Sequence, residues 1–117
     1  MHGGFGREST WNNMAALGPH FKRGFVDRAP VGNADIAPTL AHLLGFEMSR
    51  GAPGSGRVLT EALAGGPVPD APQVRYLRSS TAVGKQTIIA FQEHAGVRYL
   101  DRGCFTSPEV PDAASCR

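Results

Sequence analysis

The stretch that decides the fold is Asn33-Ala-Asp-Ile-Ala-Pro-Thr-Leu-Ala-His-Leu-Leu-Gly45. Asp35 is a typical helix N-cap, and Pro38 then falls in the first turn, where its missing N–H costs nothing. Gly45 supplies the usual left-handed stop after the last turn. The apolar residues share one helical face: Ile36, Leu40, Leu43 and Leu44. The pattern predicts a helix that serves as structural scaffold.

Towards the C-terminus, two flexible connectors, Arg50–Gly56 and Pro67–Pro72, flank Arg57–Leu63, a short amphipathic helical turn ended by Gly65-Gly66. Three strand-like runs follow and predict an antiparallel meander: Val74–Ser79, Gln86–Gln92 and Val97–Asp101. Alternation places Thr87, Ile89 and Phe91 on one side of the middle strand, and Tyr99 can pair across the last hairpin.

Towards the N-terminus, His2–Asn13 has neither helical nor strand periodicity and predicts a loop, the kind of segment that often carries sites. Met14–Leu17 is a short apolar run closed by Gly18-Pro19, which predicts a buried strand ending in a turn.

The composition describes a loop-rich globular protein of one ordinary domain's length. The 117 residues are 41% hydrophobic and 19% charged, with fifteen glycines and nine prolines. A net charge of +2 without a basic stripe argues against nucleic-acid and anionic-membrane partners. No apolar run approaches the roughly 20 residues of a membrane span, and the sequence begins without a signal segment, so we expect no membrane association. Cellular location stays open.

The two cysteines, Cys104 and Cys116, allow two interpretations. A disulfide between them would close a short local loop, and free thiols are equally compatible with the sequence. Two cysteines without nearby histidines do not make a zinc site.

His2 is the best candidate metal ligand, because the glycines after it let other groups approach while the imidazole nitrogen stays free to bind an ion. The other histidines favour non-ligand roles: His20 at a turn surface, His42 off the apolar face of the helix, and His94 facing solvent in a hairpin loop. The sequence contains no G-x-S-x-G elbow, phosphate loop, H-E-x-x-H pair or paired-cysteine zinc motif. Its residues alone therefore do not assemble a complete active site.

A long series of short motifs runs through the chain in a fixed order: Met1-His-Gly, Arg7, Thr10, Met14-Ala-Ala, Gly18-Pro19, Phe21-Lys22, Phe25-Val-Asp27, Pro30-Val31, Asn33-Ala-Asp35, Pro38–Gly45 and Gly56-Arg-Val-Leu59. This ordered string resembles the C-terminal part of the type I phosphodiesterase and nucleotide pyrophosphatase proteins of the alkaline phosphatase superfamily. Weaker similarity continues through Glu61–Gly66 to Gly96–Tyr99 and Asp101.

The resemblance implies an α/β fold in which residues 1–66 are the C-terminal portion of an alkaline phosphatase-like catalytic domain and residues 67–117 are a β-meander extension with a loose tail. In that family a late His-Gly provides one ligand of a two-zinc centre, and His2 matches it. The substrate would be a phosphate ester, and the residues that bind it are undetermined. The family's nucleophile and remaining ligands have no counterpart here, so the resemblance implies a fragment with no catalytic residue of its own, inactive alone.

Two alternatives carry no catalytic role. In the first, the chain is a non-catalytic interaction or capping module that exposes an edge strand to a partner. In the second, it is a truncated product without independent function. A truncated product would show broad, non-cooperative melting.

Overall fold

The computed structural model describes residues 4–48, 56–81 and 84–107 and confirms a mixed α/β protein. Two short 3₁₀ turns, Asn33–Asp35 and Thr60–Ala62, accompany the regular elements. These elements are the helices α1 (Arg7–Thr10) and α2 (Ile36–Leu43) and the strands β1 (Gln73–Arg78), β2 (Thr87–His94) and β3 (Val97–Phe105).

The described residues form two compact units. Unit 1 comprises residues 4–14, 73–81, 84–93 and 98–107, and unit 2 comprises residues 15–48, 56–72 and 94–97. The helices and strands divide between them, with α1 and most of the sheet in unit 1 and α2 in unit 2. The predicted division into a catalytic part, 1–66, and an extension, 67–117, concerns function and stays a prediction.

The sheet is a three-stranded antiparallel meander in the order β1-β2-β3, which confirms the predicted arrangement. In the β1–β2 register, Val74 lies opposite Gln92 and Tyr76 opposite Ala90. Ala95 and Gly96 join β2 to β3 with φ angles of 48° and 78°. Positive φ at both central residues is the geometry of a type I′ turn, whose twist matches that of the strands.

The core of unit 1 lies on β2. Ile88 and Ala90 are fully buried and Phe91 is nearly so, whereas Thr87 and Ile89 are half-buried. Thr87, Ile89 and Phe91 do share one side of the strand, but the opposite side, with Ile88 and Ala90, is the more completely buried one.

Cys104 packs against Ile88 and is disulfide-bonded. Of the two interpretations open from the sequence, the structure therefore supports the disulfide. The chain's other cysteine, Cys116, lies in the tail outside the described residues.

In unit 2, α2 forms where its sequence predicts, but Asp35 plays a different part. The helix is preceded by a 3₁₀ turn that begins at Asn33, and the Asp35 side chain caps no N–H within α2. Instead its fully buried carboxylate accepts the backbone N–H of Gly32 at 2.8 Å and that of Arg57 at 2.7 Å. Asp35 therefore joins the helix start to the segment at Arg57.

The predicted apolar face of α2 is largely exposed. Ile36, Leu40 and Leu44 are 43%, 49% and 69% exposed, Leu43 is half-buried, and the one buried residue of the helix is Thr39. The Thr39 hydroxyl donates to the Asp35 carbonyl and accepts the N–H of Leu59. The second of these hydrogen bonds attaches α2 to the segment at Leu59.

Gly45 ends α2 as predicted, with φ at 74°. The Gly45 N–H donates to the His42 carbonyl at 3.2 Å and the Phe46 N–H to the Ala41 carbonyl at 2.8 Å, the two bonds of a Schellman motif.

We expect Gly45→Ala to destabilise the protein by about 1 kcal/mol, because an alanine side chain is strained at positive φ. Urea unfolding measures the loss. Gly45→Asn is the matched control, since asparagine tolerates this conformation better, and an equal loss in both variants would contradict the conformational cause.

One local prediction is wrong and another holds only in part. Met14–Leu17 forms no strand: Met14 is 41% exposed and Leu17 fully exposed. A run of four apolar residues becomes a strand only if it pairs with another strand, and none pairs with it in the described part of the chain. The loop predicted for His2–Asn13 is confirmed only in part. Residues 4–6 and 11–13 are irregular, but Arg7–Thr10 forms one helical turn, closed by hydrogen bonds from the Ser9 and Thr10 N–H groups to the Gly6 carbonyl.

The turn predicted over Arg57–Leu63 is present in shorter form as the 3₁₀ turn Thr60–Ala62. It follows the buried Leu59 and contains the buried Glu61. Among the described residues, no helix has the length and apolar character needed to cross a lipid bilayer.

Candidate metal-binding loop

His2 lies outside the described residues, which begin two positions later at Gly4. The site can therefore be described only through the residues that follow His2, from Gly4 onward. The nearest described contact is made by Phe5, whose carbonyl accepts the N–H of Gly103 on β3 at 2.6 Å. A Cβ added at Gly103 would lie 3.2 Å from Phe5 Cβ, so glycine at this position admits the close approach.

Residues following Phe5 are held to β3 through one carboxylate, that of Asp101. Nε and Nη2 of Arg7 donate to its two oxygens at 3.0 and 2.9 Å, and the indole N–H of Trp11 donates to Oδ1 at 2.9 Å. The Thr10 hydroxyl donates to the Asp101 carbonyl, and Nη1 of Arg102 donates to Oδ2. We call this group of five residues the Asp101 anchor.

Charge and burial make the Asp101 anchor stronger than an ordinary surface ion pair. Asp101 and Arg102 are 2% and 7% exposed, whereas Arg7 is partly exposed and stacks over Trp11, with its guanidinium carbon 4.7 Å from the ring centroid. A bidentate Arg–carboxylate pair with one buried member fixes geometry as well as charge. The loop that follows His2 is therefore held at a defined place on β3.

The protonation equilibria of the anchor follow from the same contacts. Burial by itself would raise the pKa of Asp101, but the hydrogen bonds from Arg7 and Trp11 and the charges of Arg7 and Arg102 outweigh it and hold this pKa below its usual value. The hydrogen bond to Asp101 raises the pKa of Arg7. Asp101 is therefore ionised near neutral pH.

The other histidines are placed largely as predicted. His20 and His42 are exposed. The backbone carbonyl of His20 accepts the N–H of Ala64, which is a structural use of that position. His94 is half-buried at the end of β2 and outside the turn, so the prediction that it faces solvent holds only in part.

Within the part of the chain that the structure describes, no group of three or more His, Cys, Asp or Glu side chains is placed to hold a metal ion. The sequence gives no sign that Asp101 contacts the segment that follows His2. Arg7, Thr10 and Asp101 all belong to the resemblance, but nothing local in the sequence joins positions 94 residues apart.

Comparison with protein-family models, with curated proteins and with solved structures gave no match.

Proposed function

We propose that this chain is the C-terminal segment of a metal-dependent phosphoric ester hydrolase of the phosphodiesterase and nucleotide pyrophosphatase type. In this proposal the fold is the C-terminal portion of an alkaline phosphatase-like domain, and His2 is one zinc ligand. The observation that carries the proposal is the ordered sequence string from Met1-His-Gly to Gly45. A string of this length in one order is far more specific than the His-Gly pair alone.

The Asp101 anchor supports the proposal. A metal ligand must be held in place by contacts beyond its own side chain, because loosely held ligands bind weakly. Phe5, Arg7 and Trp11 tie the segment that follows His2 to β3. The anchor thus gives a structural reason for Arg7, Thr10 and Asp101 to be among the matching residues.

In the complete enzyme, two bound zinc ions would lower the pKa of the nucleophile and spread the charge that develops during in-line displacement. The contribution of this chain is narrower: His2 donates an imidazole lone pair and must be unprotonated to do so. A zinc centre normally takes three or four protein ligands. The nucleophile and the other ligands would come from polypeptide outside this sequence, and we expect no hydrolysis by the chain alone.

Zinc titration by calorimetry tests the role of His2. We expect weak zinc binding by the chain at neutral pH that is lost in His2→Ala and weakens in acid, because a protonated imidazole does not bind metal. His20→Ala is the matched control, since His20 is exposed and should leave zinc binding unchanged. Equal zinc affinity in the wild-type chain and His2→Ala would contradict the proposal.

The nucleotide sequence preceding the codon for Met1 gives an independent test. We expect the same reading frame to encode an Asp-containing segment with a Ser or Thr nucleophile and an Asp-His-Gly. An upstream frame that encodes neither would overturn the assignment to a phosphoric ester hydrolase.

Exposed surfaces favour a second candidate function, a non-catalytic interaction or capping module. All six residues of β1 are exposed, and among the residues that the structure describes this strand pairs with β2 alone. In unit 2, the stripe of Ile36, Leu40 and Leu44 is also exposed. Exposed edges and apolar patches are typical of binding surfaces. Tight zinc binding that depends on His2 would count against this candidate.

A further inference from the structure

Unit 2 contains a second buried polar group, centred on Arg57 and Glu61. Nη1 and Nη2 of Arg57 donate to the two oxygens of Glu61 at 2.8 and 2.5 Å, and the two side chains are 9% and 3% exposed. Burial by itself would raise the pKa of Glu61, but the hydrogen bonds and charge of Arg57 outweigh it and hold this pKa below its usual value. The Glu61 carboxyl group is therefore ionised at neutral pH.

A second carboxyl group, that of Asp27, neighbours this pair and feels the charge of Glu61. Nη2 of Arg57, which donates to Glu61, also donates to the carbonyl of Pro30, three residues after Asp27, at 3.3 Å. Oδ1 of Asp27 accepts the N–H of Ala29 at 2.9 Å. Its Oδ2 is buried and accepts no hydrogen bond from any residue that the structure describes. An ionised carboxylate only accepts hydrogen bonds, so two carboxylates in contact repel each other and leave Oδ2 unsatisfied.

A single proton would remove both the repulsion between the two carboxylates and the unsatisfied oxygen of Asp27. A protonated carboxyl donates one hydrogen bond, and a donor on Oδ2 would satisfy the buried oxygen and turn the contact with Glu61 from repulsive to attractive. The proton belongs on Asp27, because Arg57 occupies both oxygens of Glu61 with charge-assisted bonds that require the ionised form. Asp27 has no such cation bonded to it in the described part of unit 2.

We propose that Asp27 and Glu61 share one proton, carried by Asp27 and donated to Glu61, and that loss of this proton loosens the segment of Asp27–Ala29 from the turn at Glu61. The proposal is independent of any metal site. The charged groups acting on Asp27 are Glu61 and Arg57, and His94 acts in turn on Glu61.

The direction of the pH effect follows from the electrostatics of the site. Burial is the largest cause that raises the pKa of Asp27, followed by the nearby carboxylate of Glu61. The Ala29 N–H and the Arg57 charge act the other way. A group whose pKa is raised by folding contributes stability below its unfolded pKa and loses that contribution as the pH rises through the folded pKa. The contact therefore stabilises unit 2 in acid and weakens as the pH rises towards neutral.

The test is Asp27→Asn, which places an amide donor at the position of Oδ2 and keeps an acceptor for Ala29. Urea unfolding between pH 4 and pH 8 should show a folding equilibrium constant about three- to tenfold higher than wild type at pH 8 and within about twofold of wild type at pH 4. The asparagine amide keeps its donor at high pH, whereas the carboxyl group loses its proton, and one hydrogen bond is worth about that much. Asp70→Asn, at an exposed aspartate, is the control and should match wild type at both pH values.

Carboxyl ¹³C shifts measured by NMR give a reading on the wild-type protein that does not depend on how any variant folds. Asp27 should titrate with a pKa above the usual value of an aspartate. An Asp27 pKa at or below that usual value, or an Asp27→Asn variant that is less stable than wild type at pH 8, would overturn the proposal.

Discussion

Asp101→Ala is expected to lower the free energy of unfolding by about 3–5 kcal/mol, a large part of the total of about 5–15 kcal/mol that is typical of folded proteins. The buried carboxylate accepts hydrogen bonds from Arg7, Trp11 and Arg102. Without it, the guanidinium of Arg102 is left buried and uncompensated, and the segment from Phe5 to Trp11 loses its main attachment to β3. Removing one partner of a buried ion pair is costly because the remaining charge has already been taken out of water.

Denaturant unfolding measures this loss, and Glu93→Ala is the matched control. Glu93 also accepts from two arginines, Arg75 at 3.3 Å and Arg98 at 2.9 Å, but on the exposed surface of the sheet, where ion pairs contribute little. An equal loss in the two variants would show that burial adds nothing to the anchor.

The pH dependence of stability separates the charge of Asp101 from its packing. The folded pKa of Asp101 is lowered, so its contribution to stability is present above the unfolded pKa and is lost as the pH falls through the folded value. Wild type should therefore lose stability in acid, and Asp101→Asn should show a flatter profile at low pH. A variant with an unchanged acid profile would assign the acid sensitivity to other carboxylates.

Asp35→Ala is expected to cost about 3 kcal/mol, because two backbone N–H groups, those of Gly32 and Arg57, lose their buried acceptor. The first of these bonds fixes the entry into α2, and the second joins residues 22 positions apart. We expect helix content to fall together with stability, since α2 buries so little apolar surface that it depends on these hydrogen bonds.

A graded series of variants tests the hydrogen-bonding explanation. Asp35→Asn keeps one oxygen acceptor and should lose less than Asp35→Ala, whereas Asp70→Ala, at an exposed position in a connector, should change little. Urea unfolding followed by circular dichroism gives both quantities. Equal losses for Asn and Ala at position 35 would indicate that the negative charge matters and the count of acceptors does not.

Local periodicity was sufficient to predict the longer regular elements, α2 and the three strands, but not the single turn of α1. The strand pattern from Val74 onward and the helix between Asn33 and Gly45 both formed within a few residues of the predicted bounds. These predictions succeed because alternation and helical spacing are properties of neighbouring residues. Met14–Leu17 failed because a strand also needs a partner, which a four-residue run cannot specify.

Burial was harder to predict than secondary structure. The stripe of Ile36, Leu40 and Leu44 has the spacing of a buried face, yet all three are exposed and Thr39 is the buried residue of α2. Periodicity identifies which residues share a face and says nothing about what lies opposite that face. In unit 2 the described contacts that hold α2 are polar, and hydrogen bonds between distant segments leave no periodic signal.

The candidate site divides in the same way. His2 could be proposed as a zinc ligand from the sequence because the resemblance depends only on the order of residues along the chain. Its role stays a prediction. The contact between Arg7 and Asp101 could not be found, since it depends on how the chain returns to β3 after 94 residues. The sequence likewise gives no sign that Asp27 and Glu61 are neighbours. Two acidic residues far apart in sequence are normally predicted to be separate, solvated charges.

The edge formed by β1 has a consequence for solubility. A strand that is exposed along its whole length invites edge-to-edge addition of further copies and, ultimately, fibrous aggregation. Here Arg75 and Arg78 interrupt an otherwise apolar run that includes Val74 and Leu77. If two copies of β1 paired at their edges, their arginines would be brought close together and would repel each other. We therefore expect Arg75 and Arg78 to oppose edge-to-edge aggregation.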